Sequence, residues 1–442
     1  MKIPRSVKRL AGSVLVAGCA VLIAAGAVHA GERAKPKLRV GTSGDYAPFS
    51  MAYGDRVAGS WTPQGLDIAV AQAYARDRGL EIEWVPFRWP DLRRDLAGGR
   101  FDVAMSGVTQ RPERSLVGRY TIPVAIAGAV ALVRDAGRFR ELSDLDREGV
   151  VIGVNRGGHL ERVTRERFPA AQIQAVAKND AVPDLLIAGE VDAVITDTFE
   201  APHWQLGHEH LERRGPFTRD TKSYLVRVDR EDLARDLDIW LLEAEADGTL
   251  DRLRRIHLGR AARPRPASVL MALLASVDER LSLMPLVAAS KAASGSLLTD
   301  SARETQVLDR AVARCIAEAH TLKTHAPAPA AVRAFFEAQI AAAKTLQQQM
   351  PTDAGPQPGA SLDLVRDLRP ALDRIGDRQA FLLNQLPRDL EAARVQKRTR
   401  EALAFLGLPI GSIDAIADGI VAVAHAQTTV DEATLPRRVL DQ

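Results

Sequence analysis

From Lys37 to about Leu258 the hydrophobic positions fall into short runs of two alternating kinds. Leu38–Gly41, Ile82–Val85, Phe101–Met105, Val150–Val154 and Val191–Ile195 are rich in β-branched or aromatic residues and bounded by Gly, Pro or Asp, which predicts strands. Between them Leu66–Asp77 and Leu185–Gly189 carry helical spacing. Strands and helices alternating in this way predict an α/β domain with parallel sheets, over residues 31–260. The basic, Pro-containing stretch Arg260–Ala267 (261–267) then reads as a linker. Beyond it no convincing strand pattern remains. Residues 268–325, 328–350, 361–405 and 411–425 are Ala- and Leu-rich with helical spacing. They are broken at Pro285, Gly295, Pro327/Pro329 and the loop Pro351–Gly359. The chain is therefore read as multidomain: an α/β domain, an all-α bundle over 268–425, and a polar tail over 426–442.

Composition sharpens this picture at the start of the chain. The 442 residues are 46% hydrophobic and 26% charged, an ordinary globular balance, and two cysteines exclude a disulfide scaffold. Residues 1–30 combine Lys2, Arg5, Lys8 and Arg9 with an apolar run from Leu10 to Val28 and the small-x-small site Val28-His29-Ala30. That is a signal peptide, with cleavage expected after Ala30 and a periplasmic product without a membrane anchor. Val16–Cys19 resembles a lipoprotein box, but cutting there would leave eleven mostly apolar residues, so lipidation at Cys19 is not expected. Removing the four leader cations from the formal charge of +3 leaves −1 for residues 31–442, and nothing calls for a nucleic-acid partner. Cys315 is then the sole cysteine, so no intrachain disulfide forms. A homo-oligomer is expected.

In open α/β sheets, ligands bind beyond the carboxyl ends of the strands. The segments Gly41–Ser50, Gly65–Asp67, Trp89–Leu92, Phe101–Arg114, Gly153–Gly158 and Asp192–Ala201 sit there. Their order and spacing resemble the periplasmic solute-binding proteins for polar amino acids. The resemblance implies two lobes closing on a small ligand, with Thr109 and Arg114 gripping a carboxylate and Asp197 meeting an amino group. Asp45, Tyr46, Trp89, Ser106, Asn155, Gly157, Gly158 and Lys222 complete the cleft it implies, with Gly157 and Gly158 holding an anion.

Closer still, Gly44-Asp45-Tyr46, Pro48-Phe49-Ser50, Trp89-Pro90, Asn155, Gly157-Gly158, Thr196-Asp197 and Glu200-Ala201 resemble the cyclohexadienyl dehydratases, enzymes built on that binding-protein fold. In that family the residue matching Glu200 is the general acid. The chemistry fits. Prephenate loses a ring hydroxyl and a carboxylate together, and a carboxyl group in a closed, water-poor cleft can protonate the departing hydroxyl. The bland reading of Glu200 is a surface glutamate on a helix's first turn. His159 and Leu160 depart from the Thr-Asn that commonly follows the two glycines, which touches rim selectivity. His203, His208 and His210 lack a further ligand at a closed-site spacing, so no metal is expected.

The bundle carries spaced cations. Arg280 and Lys291 lie eleven residues apart, on one side if the helix continues past Pro285. Asp300, Arg303 and Glu304 follow within one turn, although Ser301-x-x-Glu304 also reads as a capping box. Gln339, Ala343 and Gln347 share a face at i, i+4 and i+8, and the apolar side, Val332, Phe335, Phe336 and Ile340, reads as core. These positions resemble the exported, all-helical AroQ-type chorismate mutases, to which Arg378 adds an arginine from a later helix. The resemblance implies that Arg280, Arg303 and Arg378 clamp carboxylates while Lys291 and Gln347 stabilise the breaking ether oxygen. Glu304 would meet the substrate hydroxyl, and Asp300 would orient its neighbours. Ala343 stands where relatives carry Ser or Thr.

Together the halves predict a cofactor-free bifunctional enzyme of phenylalanine synthesis. It would convert chorismate to prephenate, and prephenate to phenylpyruvate, with arogenate as a further dehydratase substrate. The alternative is an amino-acid-binding protein without dehydratase chemistry, tethered to a mutase. A bundle serving only dimerisation is the weaker rival.

Overall fold

The alternating runs form two five-stranded sheets, one per lobe. The structure, a computed structural model, describes residues 35–54, 60–259, 265–350 and 361–426. In the first lobe the strand order is Glu81–Pro86, Lys37–Thr42, Val103–Ala104, Leu225–Arg227, Gly118–Tyr120. In the second it is Gln172–Val176, Val151–Asn155, Ala193–Asp197, Ala129–Val133, Glu212–Arg214. Three strands of each sheet are parallel, as the periodicity predicts, but the sheets are mixed. Leu225–Arg227 runs antiparallel to both its neighbours, and so does Ala129–Val133. The reason is topological. The chain passes between lobes along Ala125–Ala127 and back along Asp220–Lys222, which pair antiparallel as a hinge. A strand entered straight from such a crossing has no helical crossover to reverse it.

Helices Glu231–Ala246 and Thr249–Leu258 fold back onto the first lobe, where Tyr74 donates to Asp236 at 2.7 Å and Trp240 Nε1 to Asp77 at 2.9 Å. The bundle follows: Val269–Ser282, Met284–Ser294, Ser301–Leu322, Pro329–Gln348, Arg369–Leu383, Ala392–Leu403 and Ile410–His425. Among the described residues no strand follows Leu225–Arg227, and no helix is long and apolar enough to cross a membrane. Two local expectations are corrected. The helix carrying Arg280 does not run through to Lys291; it ends at Ser282, and Pro285, with no N–H to give, enters the first turn of the next. The capping box on Ser301 does not form either, because Asp300 is the cap and accepts from Arg303 N at 3.0 Å. Gly419 lets two helices touch, since a Cβ there would lie 2.7 Å from Phe335 Cα.

The signal peptide, the loop Pro351–Gly359, most of the linker and nearly all of the tail lie outside the described residues. The linker's last residues do not hang free. Arg254, 1% exposed, pairs with Glu245 at 2.8 and 2.7 Å and donates from Nε to Val124 O at 2.8 Å, next to the hinge. Glu245 also accepts from Ala267 N at 3.0 Å, at the threshold of the bundle. Glu245→Gln leaves the Arg254 guanidinium buried without a counter-charge. The variant should lose about 3–5 kcal/mol of stability in a urea titration, and an unchanged midpoint would mean the pair is dispensable.

Candidate active sites

The first site lies between the lobes. Strand Ala193–Asp197 ends in a turn that puts Glu200 at the start of the short helix Ala201–Trp204, inside the cleft and 2% exposed. Asn179 Nδ2 donates to Glu200 Oε1 at 2.6 Å, and Thr196 Oγ1 lies 2.7 Å from Oε2. Burial, helped by the charge of Asp197, raises the Glu200 pKa well above the usual carboxylate range. Burial therefore favours its protonated form, and with the side chain 2% exposed the surface-glutamate reading is excluded.

Asp197 is fully buried. Its Oδ1 accepts from Phe199 N at 2.8 Å and Glu200 N at 3.0 Å. Its Oδ2 meets the Tyr46 hydroxyl and lies 3.2 Å from Lys222 Nζ. Lys222 further donates to Tyr46 Oη at 2.7 Å and Thr109 Oγ1 at 2.9 Å. The expectation that Asp197 awaits an amino group is thus corrected: its counter-charge comes from the hinge strand. Arg114 behaves oppositely. It is 3% exposed, donates to Thr109 O at 2.8 Å and lies 5.7 Å over the Trp89 ring, yet pairs with no carboxylate of the described residues. Burial lowers its pKa to about 10, so it stays cationic at neutral pH.

Tyr46, Trp89, Thr109, Arg114, Asn155, Gly158, His159, Glu200 and Lys222 line one cavity of about 50 Å³. Four implied residues do not: Asp197, described above, and Asp45, Ser106 and Gly157. Asp45 braces the wall instead, accepting from Trp89 Nε1 at 3.2 Å and, through its carbonyl, from Asn179 Nδ2 at 3.1 Å. Ser106 is buried against Ser43, 3.0 Å from its N. Gly157 gives its N–H to the Glu161 carboxylate at 2.6 Å rather than to a ligand, and its missing side chain makes room for Pro90, 2.7 Å from where a Cβ would stand. The lobes are closed upon each other. Asn179 was missed; its place just beyond the carboxyl end of Gln172–Val176 was the available signal.

The second site is a cavity of about 610 Å³ in the bundle, lined by Arg280, Lys291, Asp300, Arg303, Glu304, Ala343 and Gln347 together. Arg280 Nε and Gln347 Oε1 are buried without partners. Burial lowers the Arg280 pKa to about 10, still cationic at pH 7. Lys291 donates to Leu298 O at 2.8 Å, and Glu304 pairs with Lys344 at 2.7 Å. Arg378 is corrected. It does not line this cavity but binds Glu279 and Tyr120 O, at the contact with the first lobe. Helix phase explains this. Arg369, Leu372, Asp373 and Gly376 of its helix face the cavity, and Arg378, nine residues past Arg369, is turned about half a circle away. Arg369, Arg310, Arg314 and Lys344 are the cations that sequence reasoning missed. Lys344, one turn before Gln347, was the most legible. Seven cationic side chains face three carboxylates, Asp300, Glu304 and Asp373, so the cavity is made for an anion.

His208 and His210 meet edge to face at 6.0 Å, and no group of three potential metal-ligating side chains gathers among the described residues.

Residues 38–260 match the bacterial extracellular solute-binding proteins, family 3. The cyclohexadienyl dehydratase of Pseudomonas aeruginosa is 33% identical over 265 residues, 58% of this chain and 95% of that protein. The L-cystine-binding protein TcyJ of Escherichia coli is 28% identical over 226 residues, 50% of this chain and 82% of that protein. Among solved structures, an ancestral amino acid-binding protein described as a precursor of cyclohexadienyl dehydratase is 30% identical. It covers 50% of this chain and 95% of its own, with a TM-score of 0.46.

The raised pKa of Glu200 has a thermodynamic consequence. The unfolded chain releases this proton above pH ~4.3 while the folded chain keeps it, so its contribution is full below that pH and is lost as pH rises. Glu200→Gln should therefore gain stability relative to the parent as pH rises above about 4.3, by up to about 1.4 kcal/mol per pH unit. Urea midpoints measured across that range check this; parallel curves would place the carboxylate in its charged form.

Proposed function

The chain belongs, over residues 38–260, to the bacterial extracellular solute-binding proteins of family 3, and from that premise we propose that it is an exported two-step enzyme in which the bundle isomerises chorismate and the cleft dehydrates the product. The observation that carries the dehydratase reading is Glu200, a carboxyl sealed in a cleft where burial favours its protonated form, beside an arginine that pairs with no carboxylate of the described residues. The relative named cyclohexadienyl dehydratase supports it. Prephenate would bind with its pyruvyl carboxylate on Arg114. Glu200 would give its proton to the ring hydroxyl as that group departs as water. The ring carboxylate leaves as carbon dioxide, and its bonding electrons complete the aromatic ring of phenylpyruvate. Release into an aromatic product supplies the driving force, so the cleft's tasks are one proton, one carboxylate contact and exclusion of water. Solvent returns the proton to Glu200 when the lobes open.

Relatives named as amino-acid-binding proteins favour simple capture instead. Against that reading, Asp197 is already neutralised by Lys222. The same neutralisation makes prephenate, which carries no amino group, the better fit than arogenate.

The mutase reading rests on the anion-seeking cavity. A pericyclic rearrangement needs neither base nor nucleophile, only a dianion held in a compact conformer and a charge-stabilised ether oxygen. Arg280, with Arg303 and Arg369, would hold the carboxylates. Lys291 and Gln347 would face the breaking bond. Family membership supports export to the periplasm by residues 1–30.

Incubating the purified chain with chorismate tests both steps. Phenylpyruvate should accumulate. Glu200→Gln should cut its formation by about 10²–10⁴-fold and leave prephenate in solution; retained turnover would refute the acid. Arg280→Ala or Gln347→Ala should slow the loss of chorismate by about 10²-fold or more. Chorismate consumed at the parent rate by both variants would remove the bundle from the reaction.

A further inference from the structure

A third cavity, of about 260 Å³, lies between the α/β domain and the bundle, and neither proposed reaction uses it. Strand Gly118–Tyr120 and helix Glu231–Ala246 form one wall, helices Ser301–Leu322 and Arg369–Leu383 the other. Most of its charged side chains are committed to one another. Arg119 pairs with Glu231 at 2.8 Å, Arg314 with Asp377 at 2.9 Å, Arg235 with Glu318 and Arg378 with Glu279.

Two of opposite sign are not. Asp238, 5% exposed, accepts only the backbone N–H of Ile122, at 2.7 Å, and pairs with no cation of the described residues. Arg374 donates only to backbone carbonyls, of Ser115 at 2.7 Å and Leu116 at 3.4 Å, and pairs with no carboxylate of the described residues. Nor do the two pair with each other, though both face the same space. Burial pushes the Asp238 carboxyl up to about 7 against the charges of Arg378 and Arg235, which are themselves paired with Glu279 and Glu318. A ligand carrying one charge of each sign would answer both unpaired groups. The rest of the lining includes Ala234, Ala371, Ile375, Ala380 and Phe381, which suits an apolar remainder. The volume lies just under the roughly 300–1,000 Å³ of ordinary ligand pockets.

We propose that this interdomain cavity binds an α-amino acid with an apolar side chain, its ammonium on Asp238 and its carboxylate on Arg374. The site is separate from the cleft and independent of what the cleft does.

Because the cleft belongs to a family whose named relatives bind amino acids, the test is run in Arg114→Ala, which removes the cleft's carboxylate grip. The full chain is titrated calorimetrically with leucine and phenylalanine. Two analogues accompany them: 3-phenylpropanoate, which lacks the ammonium, and phenethylamine, which lacks the carboxylate. One equivalent of at least one amino acid should bind, with either analogue tenfold weaker or worse. Asp238→Asn and Arg374→Gln should each weaken binding at least tenfold. Ala317→Phe, which crowds the cavity mouth and leaves the charges intact, should do the same and serves if Asp238→Asn does not fold. The proposal is overturned if neither amino acid binds in Arg114→Ala. Binding that survives Arg374→Gln and Ala317→Phe overturns it equally.

Discussion

Much of this architecture depends on one buried ion pair. Arg254 and Glu245 meet through two hydrogen bonds out of contact with water; Arg254 has its Nε left for a further bond, and Glu245 Oε2 accepts a second one. Arg254 holds the carbonyl of Val124, where the chain leaves the first lobe for the hinge, and Glu245 holds the N–H of Ala267, where it enters the bundle. Such a pair is weak evidence for net stability, because desolvation offsets most of its attraction. Its value here is directional. It fixes first lobe, hinge and bundle in one geometry, to which Arg374 and Arg378 add bonds onto Ser115 and Tyr120. The described residues from Pro36 onward cluster as one compact unit.

Within that frame the two candidate sites use charge in contrary ways. The cleft is small and largely self-paired: Lys222 answers Asp197, His159 meets Asp220, and Arg114 is left beside a carboxyl, Glu200, whose protonated form burial favours. A site of this kind can hand over a proton. The bundle cavity is larger and carries cations in excess, with Arg280 Nε and Gln347 Oε1 unsatisfied until something enters. It can hold and polarise an anion.

Much of this was legible in the sequence wherever the information was local. Strand and helix periods located the two domains, and turn segments at strand ends located Glu200, Arg114 and Thr109. Spacing within single helices brought Arg303 and Glu304 together, and it set Ala343 and Gln347 on one face. Failures came where a residue's role depends on something distant. Arg378 was assigned from a resemblance, without the packing of its helix, and half a turn of phase is enough to send an arginine to the opposite face. Asp197 was assigned an amino group because Lys222, twenty-five residues on, gives no local sign of lying 3.2 Å away.

The sequence by itself therefore determined the elements, their order and the chemical character of each face, because those follow from side-chain period and backbone preference over a few residues. Only the tertiary structure decided which charges are spent on one another and which are left for a ligand. That division depends on distances between segments far apart in the chain, and on burial, which makes a carboxyl such as Glu200 an acid and leaves a guanidinium such as Arg114 or Arg280 waiting for an anion.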